Sequence, residues 1–479
     1  MAESALNEPY DLRVIPARPP AAVAAGDATT AAAGGRVLSA GGSAADAAVA
    51  AALTACAAET VMTGLAGGGF ATYWDSAAGA ATSVDFFVAV PGLGLDRPVA
   101  PMREIEVVFG PQRLEYWAGA ATVAVPGLPA GLAEVHRRWG VLPWAEVVEP
   151  ARTVAAAGAP MSAAQSAILV DVKEAMLLDP AGAASYAPKG RLLAPGDRLH
   201  HPGLSDALDL LVAEGAEAFY TGQAAETMLG LVAERGGALT VADLSAYEVR
   251  VAPSRQVGFG GHLVHGRTDL LDLLGTLERL PEGLGELDDV ARVEAWVRAL
   301  MGPEHPWGTT NVCVVDEAGN ACVVTTSLGL GSGDWLPGLG VHLNSMLGEG
   351  ELMRGAHPPG SRVDSMMCPV LATDPAGLAL AAGAAGGSRI RSAMVQVLTG
   401  VLAEGLTPAE AVERGRVNPV PGVVHAEPGA PEPALEALEV AGLHVERWES
   451  QGAYFGGVSV VGRAGVAADP RRAGAVVLA

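Results

Sequence analysis

The sequence predicts an α+β protein on three observations: short β-patterned runs before residue 90, a mainly helical middle, and a return to β-pattern from Asn311 onward. Ala44 to Ala58 reads as a helix, because an alanine-rich stretch has high helical propensity. Asp46 interrupts that apolar run and its length is too short to cross a bilayer, so the helix should be buried in protein. Phe70–Trp74 and Thr82–Phe87 read as strands around a turn at Ala78-Gly79. Pro150 to Ala157, Ser205 to Glu214 and Ala224 to Arg235 carry apolar residues three and four apart, with Gly158, Gly215 and Gly236-Gly237 as stops. Leu270 to Arg298 reads as one or two acidic amphipathic helices. Val312–Val315 and Cys322–Thr325 form the next predicted strands, joined through Asp316–Asn320, and helices resume at Ser392 to Ala403 and Pro408 to Arg414.

Composition narrows the function. The 479 residues are half hydrophobic, enough for a large core, and no linker-like stretch separates independent domains. With 53 acids against 30 bases the net charge is −23, which argues against nucleic acid as a partner, since a phosphate binder needs a basic face. Residues 1–25, with Pro19-Pro20 and little periodicity, are expected to form an arm. The start, Met1 to Asn7, has neither a basic segment nor an apolar core, so a cytoplasmic location without membrane attachment is expected. Cys56, Cys313, Cys322 and Cys368 lack metal-ligand spacing and read as buried thiols. Cys313 and Cys322 flank one hairpin, which leaves a disulfide conceivable, though less so in a reducing compartment. His200-His201 would point to opposite faces of a strand and has no carboxylate at ligand spacing, so neither a metal nor a cofactor is expected.

The stretch Gly308-Thr309-Thr310-Asn311 is the candidate for chemistry. A chain that cuts itself before Thr, Ser or Cys frees an α-amine to act as base for that side chain, and such a residue must begin a strand. Thr-Thr is also ordinary strand entry, because threonine is β-branched. Other stretches add weight: Gly41-Gly42-Ser43-Ala44-Ala45-Asp46-Ala47-Ala48, Gly64-Leu65-Ala66-Gly67-Gly68-Gly69-Phe70, Val125-Pro126-Gly127-Leu128-Pro129-Ala130-Gly131, Leu142-Pro143-Trp144 and Gly383-Ala384-Ala385-Gly386-Gly387-Ser388-Arg389-Ile390. In this order, with Thr309-Thr310-Asn311, they resemble the γ-glutamyltranspeptidase family along most of the chain. The resemblance implies a single four-layer αββα sandwich of the N-terminal nucleophile hydrolase type, with a large part, 1–308, and a small part, 309–479, that stay associated after cleavage between Gly308 and Thr309. It implies a small-molecule amide such as glutathione as the substrate, with a γ-glutamyl or related acyl group carried on Thr309.

The resemblance also implies roles for single residues. Thr309 is the nucleophile, the Ser327 hydroxyl stands where the family has an activating Thr, and Gly386 and Gly387 stand where it has its oxyanion-hole glycines. Only a residue without Cβ lets consecutive amides approach an oxyanion closely, although the same pair also suits a strand-to-helix turn. Asn344, Glu349 and Ser365 fall at substrate-binding positions, Asn344 being equally readable as a turn-capping amide. Departures accompany these matches. Phe87 stands in Asp85-Phe86-Phe87-Val88 where the family has the Arg that holds the substrate carboxylate, Gly329 replaces an Asn, Met346-Leu347-Gly348-Glu349 replaces Gln-Met-Asp-Asp, and Ser365-Met366 replaces a Ser pair. The acyl pocket should therefore be more apolar than a glutamyl pocket. That favours a cephalosporin-acylase-like amidase as the alternative, and a relative that no longer processes itself is the other. The connection from Gly266 to Thr309 is shortened relative to the family, and His305 within it is a candidate processing aid or simply an exposed side chain.

Overall fold

The computed structural model describes residues 16–109, 112–267, 273–301, 309–350, 352–353, 357–387 and 389–479. Two antiparallel sheets lie face to face between two layers of helices, giving the αββα order. The first sheet has seven strands in the order Ala475–Leu478, Ala22–Ala25, Thr310–Val315, Ala321–Ser327, Gly68–Asp75, Ala80–Phe86 and Arg250–Pro253. The second has six: Gly465–Ala468, Gly457–Gly462, Gly377–Ala385, Val370–Asp374, His262–Gly266 and Arg255–Phe259. Both sheets combine strands from either side of residue 309, interleaved in the first and meeting at one boundary in the second, so a cut there would leave two chains joined by backbone ladders. A dry seam of small and branched side chains, among them Ala24, Cys313, Val323, Leu371, Ala381 and Val461, fills the space between the sheets.

The helix Ala44–Ala58 forms where the sequence places it and is buried on every side. Its small side chains let it lie close on the first sheet. Asp46 is a cap: it closes a reciprocal capping box with Ser43 and accepts from the amides of Val141 and Leu142 at 2.9 and 3.2 Å. One expectation fails. Ala22–Ala25, read as part of an arm, is a buried interior strand paired on both sides. Four small residues show no periodicity, and only their neighbours reveal the strand. The predicted helix at 150–157 begins earlier, at Trp144, and holds Pro150 within its second turn. The acidic segment after 270 contains the helices Leu273–Arg279 and Asp289–Leu300. All four cysteines are free and buried; Cys313 lies in the seam between sheets and Cys322 in the helix-side core, on opposite faces of the hairpin.

Candidate active site

Thr310 opens the strand Thr310–Val315 and pairs with Thr326, so continuing the register by one residue puts Thr309 level with Ser327. Ser327 in turn pairs with Gly68. Side chains alternate along a strand: Thr310, Val312 and Val314 face the helix layer, while Asn311 and Cys313 face the second sheet. Thr309 therefore faces the second sheet. It is 1% exposed, and its Oγ1 has no hydrogen-bond partner among the described residues. An unsatisfied buried hydroxyl costs about 1–3 kcal/mol, so its presence asks for a functional reason. Gly308, like His305, lies outside the described residues.

Opposite this position the strand Gly377–Ala385 ends in Gly386-Gly387 and leads into the helix Arg389–Leu398. A side chain at Gly383 would collide with the Asn311 amide, so the two strands cross in close contact there. Thr309 lies two residues before Asn311, and the Gly386-Gly387 turn begins three residues after Gly383. Both glycines have positive φ, 138° and 61°, and a Cβ at Gly386 would come 2.6 Å from the Gly456 Cα. Among the described residues neither amide N–H finds an acceptor. These free N–H groups, at the entrance to a helix, form a place where negative charge is stabilised.

The other predicted residues take different parts. The Ser327 Oγ accepts from the Gly329 amide at 2.9 Å, leaving its proton free to donate. Asn344 is fully buried: its Nδ2 donates to the carbonyls of Ala66 and Ala124 at 2.9 and 2.8 Å, and its Oδ1 accepts from Ala124 and Met346 amides at 3.0 and 3.2 Å. These four bonds use the whole capacity of an amide. Asn344 thus clamps neighbouring backbone, the structural role that the sequence left open beside substrate binding. Glu349 Oε1 accepts from Tyr116 OH at 3.3 Å, and the same phenol bonds Ser345 and accepts from the Leu330 amide at 2.7 Å. Burial first, and then the Glu349 charge, push the Tyr116 phenol well above its ordinary range. Gly329 packs against this group; a Cβ there would meet Glu349, Ser345 and Tyr116 oxygens at 2.6–2.8 Å, so the site has no room for the Asn it replaces.

Phe87 continues the row Thr309, Ser327, Gly68, because Gly69 pairs with Phe86. It is buried and stacks on Phe70 with ring centroids 5.4 Å apart. Behind the pair lies a cation that sequence reasoning missed: the Arg267 guanidinium, 3.7 Å over the Phe70 ring, donating to the carbonyls of Ser365 and Met367 at 2.8 and 2.7 Å. Ser365 is half-buried and its Oγ accepts from the Met367 amide at 3.2 Å. His201 bonds Thr60 through Nε2 at 2.7 Å and stacks on Trp335, as does His342. Burial lowers both imidazoles to about 3.

A sequence model described as gamma-glutamyltranspeptidase matches residues 30–269 and 289–479. The chain belongs to the gamma-glutamyltranspeptidase family. Acylase ACY 1 proenzyme of Pseudomonas sp. (strain V22) is 29% identical over 456 residues, covering 81% of each chain. Glutathione hydrolase 3 of Arabidopsis thaliana is 26% identical over 407 residues, 69% of this chain and 64% of its own. Among solved structures, cephalosporin acylase from Bacillus halodurans superposes with a TM-score of 0.81 at 22% identity, over 100% of this chain and 99% of its own. That last likeness concerns the fold. Family membership makes the chain a relative of amide-cleaving enzymes made as proenzymes, and no described helix is long and apolar enough to cross a membrane.

The sequence reading missed Glu59 as well. It is the residue directly after the Ala44–Ala58 helix, 4% exposed, and it takes a hydrogen bond from the Thr310 hydroxyl at 2.6 Å. The available signal was a lone acid in the otherwise uncharged stretch from Ala47 to Tyr73.

Proposed function

We propose that the chain cuts itself between Gly308 and Thr309 and then acts as an amide hydrolase or acyltransferase through the Thr309 hydroxyl. The observation that carries this reading is the buried, unpartnered Thr309 Oγ1 level with Ser327 and across from the free amides of Gly386 and Gly387. In the maturing step Oγ1 attacks the Gly308 carbonyl carbon, the peptide C–N bond breaks, and the Thr309 nitrogen keeps the electron pair and gains the proton. Water then hydrolyses the ester, leaving a Gly308 carboxylate and a free Thr309 amine. In turnover that amine takes the proton from Oγ1 as the oxygen attacks the substrate carbonyl, and the Gly386 and Gly387 N–H groups receive the oxyanion. The proton passes to the leaving amine. Water or a second amine releases the acyl group from the Thr309 ester. Ser327, level with Thr309 and with its proton free, is the group that would donate to the Thr309 oxygen once cleavage has released the start of the strand.

For the acyl group we favour an apolar or extended chain over γ-glutamyl. Phe87 occupies the position of the carboxylate-binding Arg and is itself buried against Phe70, so among the described residues the nearest cation shown there, Arg267, lies behind the two rings. A charge left unpaired on desolvation is strongly rejected. The acylase from Pseudomonas, matched over most of both chains, points the same way. Intact mass of the purified protein tests maturation: two species divided before Thr309 are expected, and a Thr309→Ala chain should stay whole and inactive. An active Thr309→Ala protein would remove Thr309 from the chemistry. Steady-state rates on γ-glutamyl and apolar acyl amides test the pocket, and a strong preference for γ-glutamyl overturns the acyl assignment.

A further inference from the structure

Glu59 is costly where it stands. It sits at the C-terminal end of a fully buried helix, where the helix dipole disfavours negative charge, and its carboxyl is almost removed from water. Its two oxygens are each used once: Oε1 accepts from the Thr30 hydroxyl and Oε2 from the Thr310 hydroxyl, both at 2.6 Å. Gly26 makes the approach possible, since a Cβ there would lie 3.1 Å from Glu59 Oε2 and 3.2 Å from Thr310 Oγ1. The other charged groups facing it are Asp27, at the start of the Ala28–Ser39 helix, and Arg472 from the C-terminal segment. Arg472 is weakly held, its hydrogen-bond partners among the described residues being the Met62 sulfur and the Ala453 carbonyl, each at 3.4 Å, and its Nη2 lies 3.6 Å from where a Gly386 Cβ would be. A carboxylate so placed does little for stability, and the residue it grips is the neighbour of Thr309.

We propose that Glu59 is a positioning residue for Thr309: through the Thr310 hydroxyl it fixes the first residues of the nucleophile strand, and it holds a negative charge beside the amine that cleavage creates. This rests on Thr309 being the nucleophile. The charge responds to pH in the working range, because burial, reinforced by Asp27, raises the carboxyl to about 7, against the hydrogen bonds from Thr30 and Thr310 and the Arg472 charge. A carboxylate near an ammonium stabilises the ammonium, so the free Thr309 amine keeps its proton to higher pH than it otherwise would. Replacing the carboxylate by an amide removes that effect and leaves the amine neutral at lower pH.

The test compares the wild type with Glu59→Gln, Thr310→Ser and Thr310→Val, by intact mass for cleavage and by the pH profile of kcat for turnover. Glu59→Gln should lower maximal kcat by about 10- to 100-fold, as misplacement of a reacting group does, with KM nearly unchanged. Its acid limb should move down by roughly one pH unit, the effect of one nearby charge. Thr310→Ser should behave as wild type and Thr310→Val should lose kcat as Glu59→Gln does. A Glu59→Gln enzyme with the wild-type limb and kcat overturns the proposal. Should that variant fail to fold, a fully active Thr310→Val overturns it alone. An uncut wild-type chain refutes the Thr309 reading instead, whereas a cut wild type beside an indifferent Glu59→Gln refutes only the role of Glu59.

Discussion

Gly386→Ala tests the proposed oxyanion site by geometry alone. The residue has φ +138°, a region that L side chains rarely enter, and the added Cβ would stand 2.6 Å from the Gly456 Cα. A contact with backbone cannot be relieved by rotating a side chain, so the turn itself must shift and carry its N–H away from the developing oxyanion. Loss of one such donor costs about 10²–10³ in kcat, or about 2.7–4 kcal/mol of transition-state stabilisation. Strain at the same position adds about 1–3 kcal/mol against folding. Gly79→Ala is the matched control: φ is +62°, no atom lies within 4 Å of the new Cβ, and only about 1–2 kcal/mol of left-handed strain is expected. The assay is kcat on the best amide substrate, with intact mass for self-cleavage and circular dichroism for folding. Gly386→Ala should be slow in both reactions while folded, and Gly79→Ala should keep wild-type rates. A folded Gly386→Ala enzyme within threefold of the wild-type kcat would show that the turn is only a turn.

Asn344→Leu leaves two buried N–H groups and two carbonyls without their side-chain partner; at about 1–3 kcal/mol per unsatisfied group, a large fall in the urea midpoint should accompany any loss of rate, and an unchanged midpoint would return Asn344 to substrate binding. Phe87→Arg should raise the ratio of kcat/KM for γ-glutamyl over apolar acyl amides by about tenfold, the worth of one charge-assisted hydrogen bond; an unchanged ratio takes Phe87 out of the acyl pocket. His342 is held neutral when folded, with burial lowering it from 6.5 to about 3. Below pH 6.5 the unfolded chain takes up a proton that the folded one refuses, so stability is full above 6.5 and is lost as pH falls toward 3. At pH 5 the loss is about 2 kcal/mol for this group. His342→Gln should therefore reduce the difference between urea midpoints at pH 7 and pH 5, and an equal difference in both proteins would refute the assignment.

Residues whose identity constrains their own surroundings were legible without coordinates. The alanine run of 44–58 reads as a buried helix, and Gly386-Gly387 reads as a close backbone approach or a strand-to-helix turn. Residues whose part depends on a distant partner were not. Ala22–Ala25 carries no periodic pattern, and its place inside the first sheet is fixed by Val312–Val315 and Ala475–Leu478, far along the chain. Asn344 read equally as a substrate contact or a capping amide, and only the fold shows its amide engaged by the Ala66 and Ala124 carbonyls. Gly329, a departure in sequence, sits at φ +71° with the oxygens of Tyr116, Ser345 and Glu349 crowded around it.

The sequence by itself determined the α+β class, the family and the strand that begins after Thr309, because turn glycines, small-residue helices and hydroxyls before a strand act through local geometry. The tertiary structure alone decided that Thr309 has an unsatisfied hydroxyl, that Arg267 lies behind Phe70 and Phe87, and that Glu59 grips Thr310 across 251 residues of chain. Charge and hydrogen bonding depend on distance in space and on burial, and neither quantity is written in the order of residues.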